Sequence, residues 1–195
     1  MGQHMSRSDQ KQLTRQRILD AAGRSFRKGG FGGVGVDGVA KDAGVTSGAF
    51  YVHFNSKAVA FREAMDKGMD DLKKGIQLFQ AQHGDQWWPA FVRFYLGEKR
   101  QCDLADSCAL QSLAPEVARS DDAARDAFSV ALVAVAQELA SGRHTAHAPG
   151  DIDEALVALA TLAGAVTLSR AVSDPLLADR IAQATEKTLV PLLSS

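Results

Sequence analysis

Apolar residues along this chain recur every three or four positions, and nothing alternates for long as a half-buried strand would, so the pattern predicts an all-α fold of about nine helices. The first is expected from about Gln10 to Lys28, with Ile18, Ala21, Ala22, Ser25 and Phe26 on one face and Arg15, Arg17, Arg24 and Arg27 around the rest. The pair Gly29-Gly30 stops it. After a glycine-rich bend through Gly33, the stripe Val36, Val39, Ala40 and Ala43 marks a short second helix, ended by the left-handed residue Gly44. A third is expected from Thr46 to Phe54, capped by Thr46, with Phe50 and Phe54 inward at i and i+4. That leaves Thr46, Ser47, Ala49, Tyr51, Val52 and His53 facing outward in part.

A long fourth helix follows, about Ser56 to Gln80, with Phe61, Met65, Met69, Leu72 and Ile76 at the core period. Pro89 is expected to interrupt at Trp87-Trp88, after which Phe91, Phe94, Tyr95 and Leu96 load a fifth helix with aromatic surface. A sixth is predicted from about Ala105 to Ala118 and a seventh from Asp122 to Ser141 through Phe128, Leu132, Val135 and Leu139. Asp151 opens an eighth reaching about Val172. Asp174-Pro175 starts a ninth, with proline where a helix start accepts it. The small residues Ala160, Ala163, Gly164 and Thr167 suit close helix contact in this last pair.

The charge distribution adds a division that the apolar pattern does not show. Through Lys57 there are nine Lys and Arg against four Asp and Glu; from Ala58 onward there are thirteen against nineteen. A basic head on an acidic body is what a nucleic-acid-binding domain joined to a non-binding one looks like, although a charge run is more often a solvated face. Met1 to His4 ahead of Met5 resembles a cloning remnant, so His4 is left out of metal arguments. No run approaches a membrane span and the polar N-terminus is no signal peptide, which points to a cytoplasmic protein without a membrane partner. Cys102 and Cys108 form no CxxC pair and fit free thiols in a reducing compartment.

The segment from Gly33 to Lys57, GVGVDGVAKDAGVTSGAFYVHFNSK, carries the most specific chemistry. Two helices joined by a glycine turn, the second starting on small residues, is the helix-turn-helix plan. Small side chains let the helix backbone approach the major groove, while hydroxyl, phenol and imidazole groups reach bases or phosphates. Ser56 caps the fourth helix, whose first turn holds Lys57 as a candidate phosphate clamp.

Residues Ile18 to Lys57 resemble the DNA-binding domain of TetR-family one-component transcriptional regulators through ILDAAGRSF, VAKDAGV and TSGAFYVHFNSK. The resemblance implies Thr46, Ser47, Ala49, Tyr51 and His53 as DNA-facing positions, with Tyr51 and His53 touching backbone more than bases, and Lys57 on a phosphate. Arg7, Lys11 and Arg15 are further candidates, equally well read as solvated charge. Three departures from the family pattern are Gly35 in place of Ser or Thr before the second helix, Gly38 inside it, and Ala60 in place of the Leu that usually follows the terminal lysine.

For the remainder, the resemblance implies a helical ligand-sensing and dimerisation bundle, giving domains of residues 6–55 and 56–195. The last two helices would form a four-helix interface in a homodimer, through Leu156, Ala160, Ala163, Gly164, Thr167, Leu177 and Ile181. A dimer also suits the job, since one recognition helix reads only a few base pairs of a palindromic double-stranded operator. A small-molecule effector, apolar or aromatic, would release a repressor by preferring one of two states. Trp87, Trp88, Phe91, Phe94, Tyr95 and Phe128 are candidates for its pocket, each also readable as core. The alternative signal is redox or electrophile sensing at Cys102 or Cys108.

His144, His147 and Asp151 have the spacing of a weak metal site, with a solvated loop the favoured reading, so no metal and no cofactor is expected. An enzyme is not expected either, for no G-x-S-x-G, H-E-x-x-H, P-loop or G-x-G-x-x-G context occurs. A helical interaction module without DNA contact would leave the TSGAFYVHF surface unexplained.

Overall fold

A computed structural model describes residues 6–142, 144–145 and 147–190. Met1 to Met5, His4 among them, lie outside the described residues. The described residues form ten α-helices and two 3-10 turns, with no strand among them. Helices α1 (Arg7–Gly33), α2 (Val36–Asp42) and α3 (Ser47–His53) make the head. Helix α4 (Lys57–His83) runs on through a 3-10 turn, Gly84–Gln86, into α5 (Trp87–Leu96) and the short α6 (Glu98–Gln101). A second 3-10 turn, Leu104–Asp106, precedes α7 (Ala109–Val117), α8 (Asp122–Ala140), α9 (Ile152–Ala171) and α10 (Pro175–Leu189).

The expected boundaries shift for local reasons. Helix α1 starts earlier because Ser6 accepts from the Asp9 N–H at 3.1 Å while the Asp9 carboxylate accepts from the Ser6 N–H at 3.1 Å, a reciprocal capping box. It breaks at Gly30, as the glycine pair predicts, with φ of 69° that a side chain would rarely adopt, and resumes for one turn. Pro89 does not interrupt: it lies in the first turn of α5, where a missing N–H leaves nothing unmade. The single helix expected from Ala105 to Ala118 is instead a 3-10 turn capped by Asp103 and then α7, begun at Cys108.

Helix α4 is the spine. It packs on α1, α5, α7 and α8, and its Ala60, Phe61, Ala64, Met65, Met69 and Ile76 are buried. One apolar cluster therefore runs without a gap from Phe26, Phe50 and Phe54 in the head to Trp87, Trp88, Leu139 and Leu162 in the body.

Helix α9 corrects one expectation. Ile152–Ala171 does have the length and mean hydropathy (1.5) of a membrane span, a test that the core helix of a soluble bundle also passes. Here Ala155, Ala158, Leu159, Leu162, Ala165 and Val166 are buried against α5, α7, α8 and α10.

Candidate DNA interface and the cavity behind it

The turn between α2 and α3 is built by backbone bonds that glycine permits. Gly44 takes φ of 66° and the Val45 N–H reaches back to the Ala40 carbonyl at 2.9 Å. Arg17 of α1 braces it, donating to the Ala43 carbonyl at 2.6 Å. Thr46 is the N-cap of α3, its hydroxyl accepting from the Ala49 N–H at 3.1 Å. Ser47 donates to the Asp37 carboxylate on α2, tying the two helices together at their exposed edge.

Phe50 and Phe54 are buried beneath α3, and the Arg15 guanidinium lies 4.7 Å over the Phe54 ring. With that face anchored, the outer face presents Thr46, Gly48, Tyr51 (56% exposed) and Val52 (69% exposed), with Ser47, Ala49 and His53 half-buried beside them. The Nδ1 atom of His53 is shut off from solvent and has no partner among the described residues. Burial lowers the His53 pKa below its usual value, and the nearby cations Lys11 and Arg15 add to the effect.

Lys57 departs from the phosphate-clamp expectation. Its ammonium donates to the Phe31 carbonyl at 2.8 Å and the Val34 carbonyl at 3.0 Å, and sits 4.2 Å over the Phe31 ring. These contacts point it inward, where it pins the glycine-rich link between α1 and α2. Arg15 likewise has an internal partner, Glu63 of α4, whereas Arg7 and Lys11 stay exposed. Gly35 and Gly38 meet nothing within 4 Å of an added Cβ, and Gly35 caps α2 without any side-chain bond.

In the body the aromatic residues divide. A cavity of about 290 Å³ is bounded by Phe79, Phe91, Phe94, Tyr95 and Cys108, with Arg27 of α1 on its wall. Trp87 and Trp88 belong to the core instead: both are buried, and the Trp88 indole donates to the Leu189 carbonyl at 2.9 Å. Phe128 packs half-buried on the core along α8 and does not line the cavity. Phe79, Arg27 and Cys108 were missed as wall residues because they lie on three separate elements. Phe79 alone had a signal, an aromatic one turn beyond Ile76 on the same helix.

Cys102 and Cys108 are both free, as the missing CxxC pattern suggests. The Cys102 thiol contacts the Lys99 carbonyl at 3.3 Å and the Arg170 guanidinium at 3.4 Å, away from the cavity wall. His144 and His147 flank residues outside the description, and no group of three or more His, Cys, Asp or Glu that could hold a metal occurs among the described residues.

On α9 and α10, Ala160, Gly164, Thr167 and Leu177 are exposed, while Leu156, Ala163 and Ile181 are half-buried against the chain's own core. Val157 (65% exposed), Leu168 (59%) and Leu176 (80%) extend the uncovered apolar strip beyond the residues named from sequence.

A capped, outward-facing short helix held by a glycine turn against two others is a helix-turn-helix head, here joined to a helical body by α4. Residues 18–64 match the family model for bacterial regulatory proteins of the tetR family. Over 58 residues the chain is 41% identical to the HTH-type transcriptional regulator TtgR of Pseudomonas putida, and over 52 residues 48% identical to AcrR of Shigella flexneri. Those stretches cover 30% and 27% of this chain but span only 28% and 24% of the relatives' lengths.

The body's likeness is structural. The reduced form of E. coli NemR superposes with a TM-score of 0.75 at 16% identity, over 93% of this chain and 97% of that one. A TetR-family regulator from Cytophaga hutchinsonii superposes with a TM-score of 0.72 at 17% identity, over 99% and 100%. The tetR-family likeness in sequence is confined to the head, residues 18–64, and for the body the superpositions show a shared fold.

Proposed function

We propose that this chain is a cytoplasmic, homodimeric transcriptional repressor that binds a palindromic double-stranded operator and is released by a small apolar or aromatic effector. Residues 6–55 serve as the DNA-binding domain and 56–195 as the sensing and dimerisation domain. The observation that carries the reading is the outer face of α3: Tyr51 and Val52 stand exposed above the buried Phe50 and Phe54. An exposed aromatic and aliphatic pair on a seven-residue helix, fixed from beneath and capped in front, has no role in this chain's own core.

Dimerisation is supported by the uncovered strip on α9 and α10, where small residues allow close approach. Two copies related by a two-fold axis present two recognition helices to half-sites about one helical turn apart. Effector release is supported by the cavity's position: Arg27 belongs to the head's first helix and donates to the Ala105 carbonyl at 2.8 Å, so an occupant touches the joint between head and body.

Fluorescence anisotropy on labelled intergenic DNA upstream of the gene, across a range of salt concentrations, tests the reading. Binding with a steep salt dependence is expected. Absence of binding at every salt concentration would overturn it. Tyr51→Ala is expected to weaken binding to operator and unrelated DNA alike if the phenol meets a phosphate; loss confined to the operator assigns it to base readout instead.

A second reading, electrophile sensing, is favoured at one cysteine only. Cys108 lines the cavity, whereas Cys102 is held by Lys99 and Arg170. Protection of Cys108, and not of Cys102, from alkylation by a cavity occupant is the corresponding test.

A further inference from the structure

We propose that the cavity between α1, α4, α5 and the start of α7 is a binding site for a small, flat aromatic molecule whose uncharged, oxygen-bearing end meets the Tyr95 hydroxyl. This rests on the effector reading above and narrows it from an apolar occupant to a chemical class.

Tyr95 is 2% exposed, lines the cavity, and its hydroxyl oxygen meets no hydrogen-bond partner among the described residues beyond the neighbouring Cys108 thiol. A buried hydroxyl is ordinarily satisfied. The Cys108 thiol beside it is only a weak donor and a weak acceptor. Burial first, and Cys108 second, raise the Tyr95 pKa well above its usual value, so the group presented to an occupant is a neutral phenol that both donates and accepts. A hydroxyl or carbonyl oxygen answers that need. The two cations on the lining are already engaged, Arg27 donating to the Ala105 carbonyl at 2.8 Å and Lys99 to the Asp106 carbonyl at 3.1 Å, and neither bonds the Tyr95 hydroxyl, so an uncharged oxygen is the partner that this end of the cavity favours.

The walls set the rest of the shape. Phe79 stands 5.7 Å from Phe91 at 78° and 5.1 Å from Phe94 at 43°, an arrangement that offers ring faces and edges to another ring. On α4, a Cβ at Gly75 would meet nothing within 4 Å, so the helix contributes open width there. About 290 Å³ is the volume of ~10 water molecules and falls at the small end of ligand sites, enough for one or two fused rings.

Besides Arg27 and Lys99, the charged lining residues are two half-exposed carboxylates, each already paired. Asp71 is 54% exposed and paired with Lys67 at 2.7 Å; Asp106, 50% exposed, pairs with Arg24.

Equilibrium dialysis of the full chain, without DNA, against 1-naphthol and naphthalene tests the proposal. One 1-naphthol per chain is expected, bound about tenfold more tightly than naphthalene. Tyr95→Phe keeps the ring and should bind both probes alike, at the naphthalene level. Gly75→Leu fills the cavity from a position with room for a side chain, and should bind neither while melting at or above the wild-type temperature.

Equal affinity of the wild type for both probes, a preference that survives Tyr95→Phe, or undiminished binding by Gly75→Leu would overturn the proposal. Operator affinity is measured separately with 1-naphthol bound. If it is unchanged, the effector reading fails while the site stands.

Discussion

Head and body are both helical bundles around one spine, but their polar contacts are arranged differently. In the head, the bonds that shape the candidate surface stay within one contiguous segment, from Phe31 to Lys57: Thr46 to Ala49, Ser47 to Asp37, and, over the longest span, Lys57 to Phe31 and Val34. In the body, the cavity draws Arg27, Phe79, Tyr95 and Cys108 from four elements spread over much of the chain. A surface made from one contiguous segment can be held rigid by local capping. A cavity made from distant segments moves whenever any of them does, which suits a sensor and makes it hard to read from sequence.

The sharpest challenge to this contrast is whether the two regions fold separately. Phe50 is 1% exposed and sits 5.5 Å from Phe54 at the centre of the head. Phe50→Ala should cost about 3–5 kcal/mol and abolish DNA binding. Because α4 joins both cores in one cluster, the melt followed by Trp87 and Trp88 fluorescence in the body should fall by roughly 10 °C as well. Lost DNA binding with an unmoved tryptophan melt would mean that the head unfolds alone.

A smaller effect is expected at Lys57, where the sequence and structural readings part. Lys57→Met removes two bonds from a charged donor and a cation-π contact, a loss of about 2 kcal/mol. As a pin for the α1–α2 link, its removal should lower the melting temperature and leave the salt slope of DNA binding unchanged. A slope reduced by about one would restore the phosphate role inferred from the resemblance.

Lys57 also shows where sequence reasoning reaches its limit. The helix order, the turn at Gly44, the cap at Thr46 and the inward pair Phe50 and Phe54 follow from spacing, because each is decided within a turn or two of chain. The direction of a lysine side chain is decided by what lies across the fold, here two carbonyls left open at the C-terminal end of α1. Trp87 and Trp88 teach the same lesson. Aromatic residues at a helix start suit a pocket wall or a core equally well, and only the arrival of α10, with the Leu189 carbonyl placed for the Trp88 indole, decides between them. Phe91 and Tyr95 do reach the cavity, one turn further along the same helix.

Gly38 offers a gain rather than a loss. It lies inside α2, where an added Cβ meets nothing within 4 Å, so Gly38→Ala should stabilise the head by about 0.5–1 kcal/mol. Gly35→Ser supplies a side-chain cap and should add only a few tenths of a kcal/mol. Thermal melts of the two variants decide whether the head is soft at α2. No gain at Gly38 would locate any softness elsewhere.

The smallest expected effect separates stability from binding within the head itself. His53 has its pKa lowered from 6.5 by burial, with Lys11 and Arg15 contributing next. The unfolded chain therefore takes up this proton more readily than the folded one, so the stability linked to His53 is present above about pH 6.5 and declines as the pH falls through that value. Because the ring is partly exposed, solvent screens the effect, and a shift of only roughly a degree or two in the melt is expected between about pH 7.5 and pH 5.5. His53→Gln should remove that part of the decline. DNA binding should move the other way, since an imidazolium on α3 adds a positive charge facing phosphates while the fold weakens. If acidification raised stability, His53 would not be penalised by burial in the fold; if His53→Gln left both profiles unchanged, it would be neither penalised there nor in reach of the DNA.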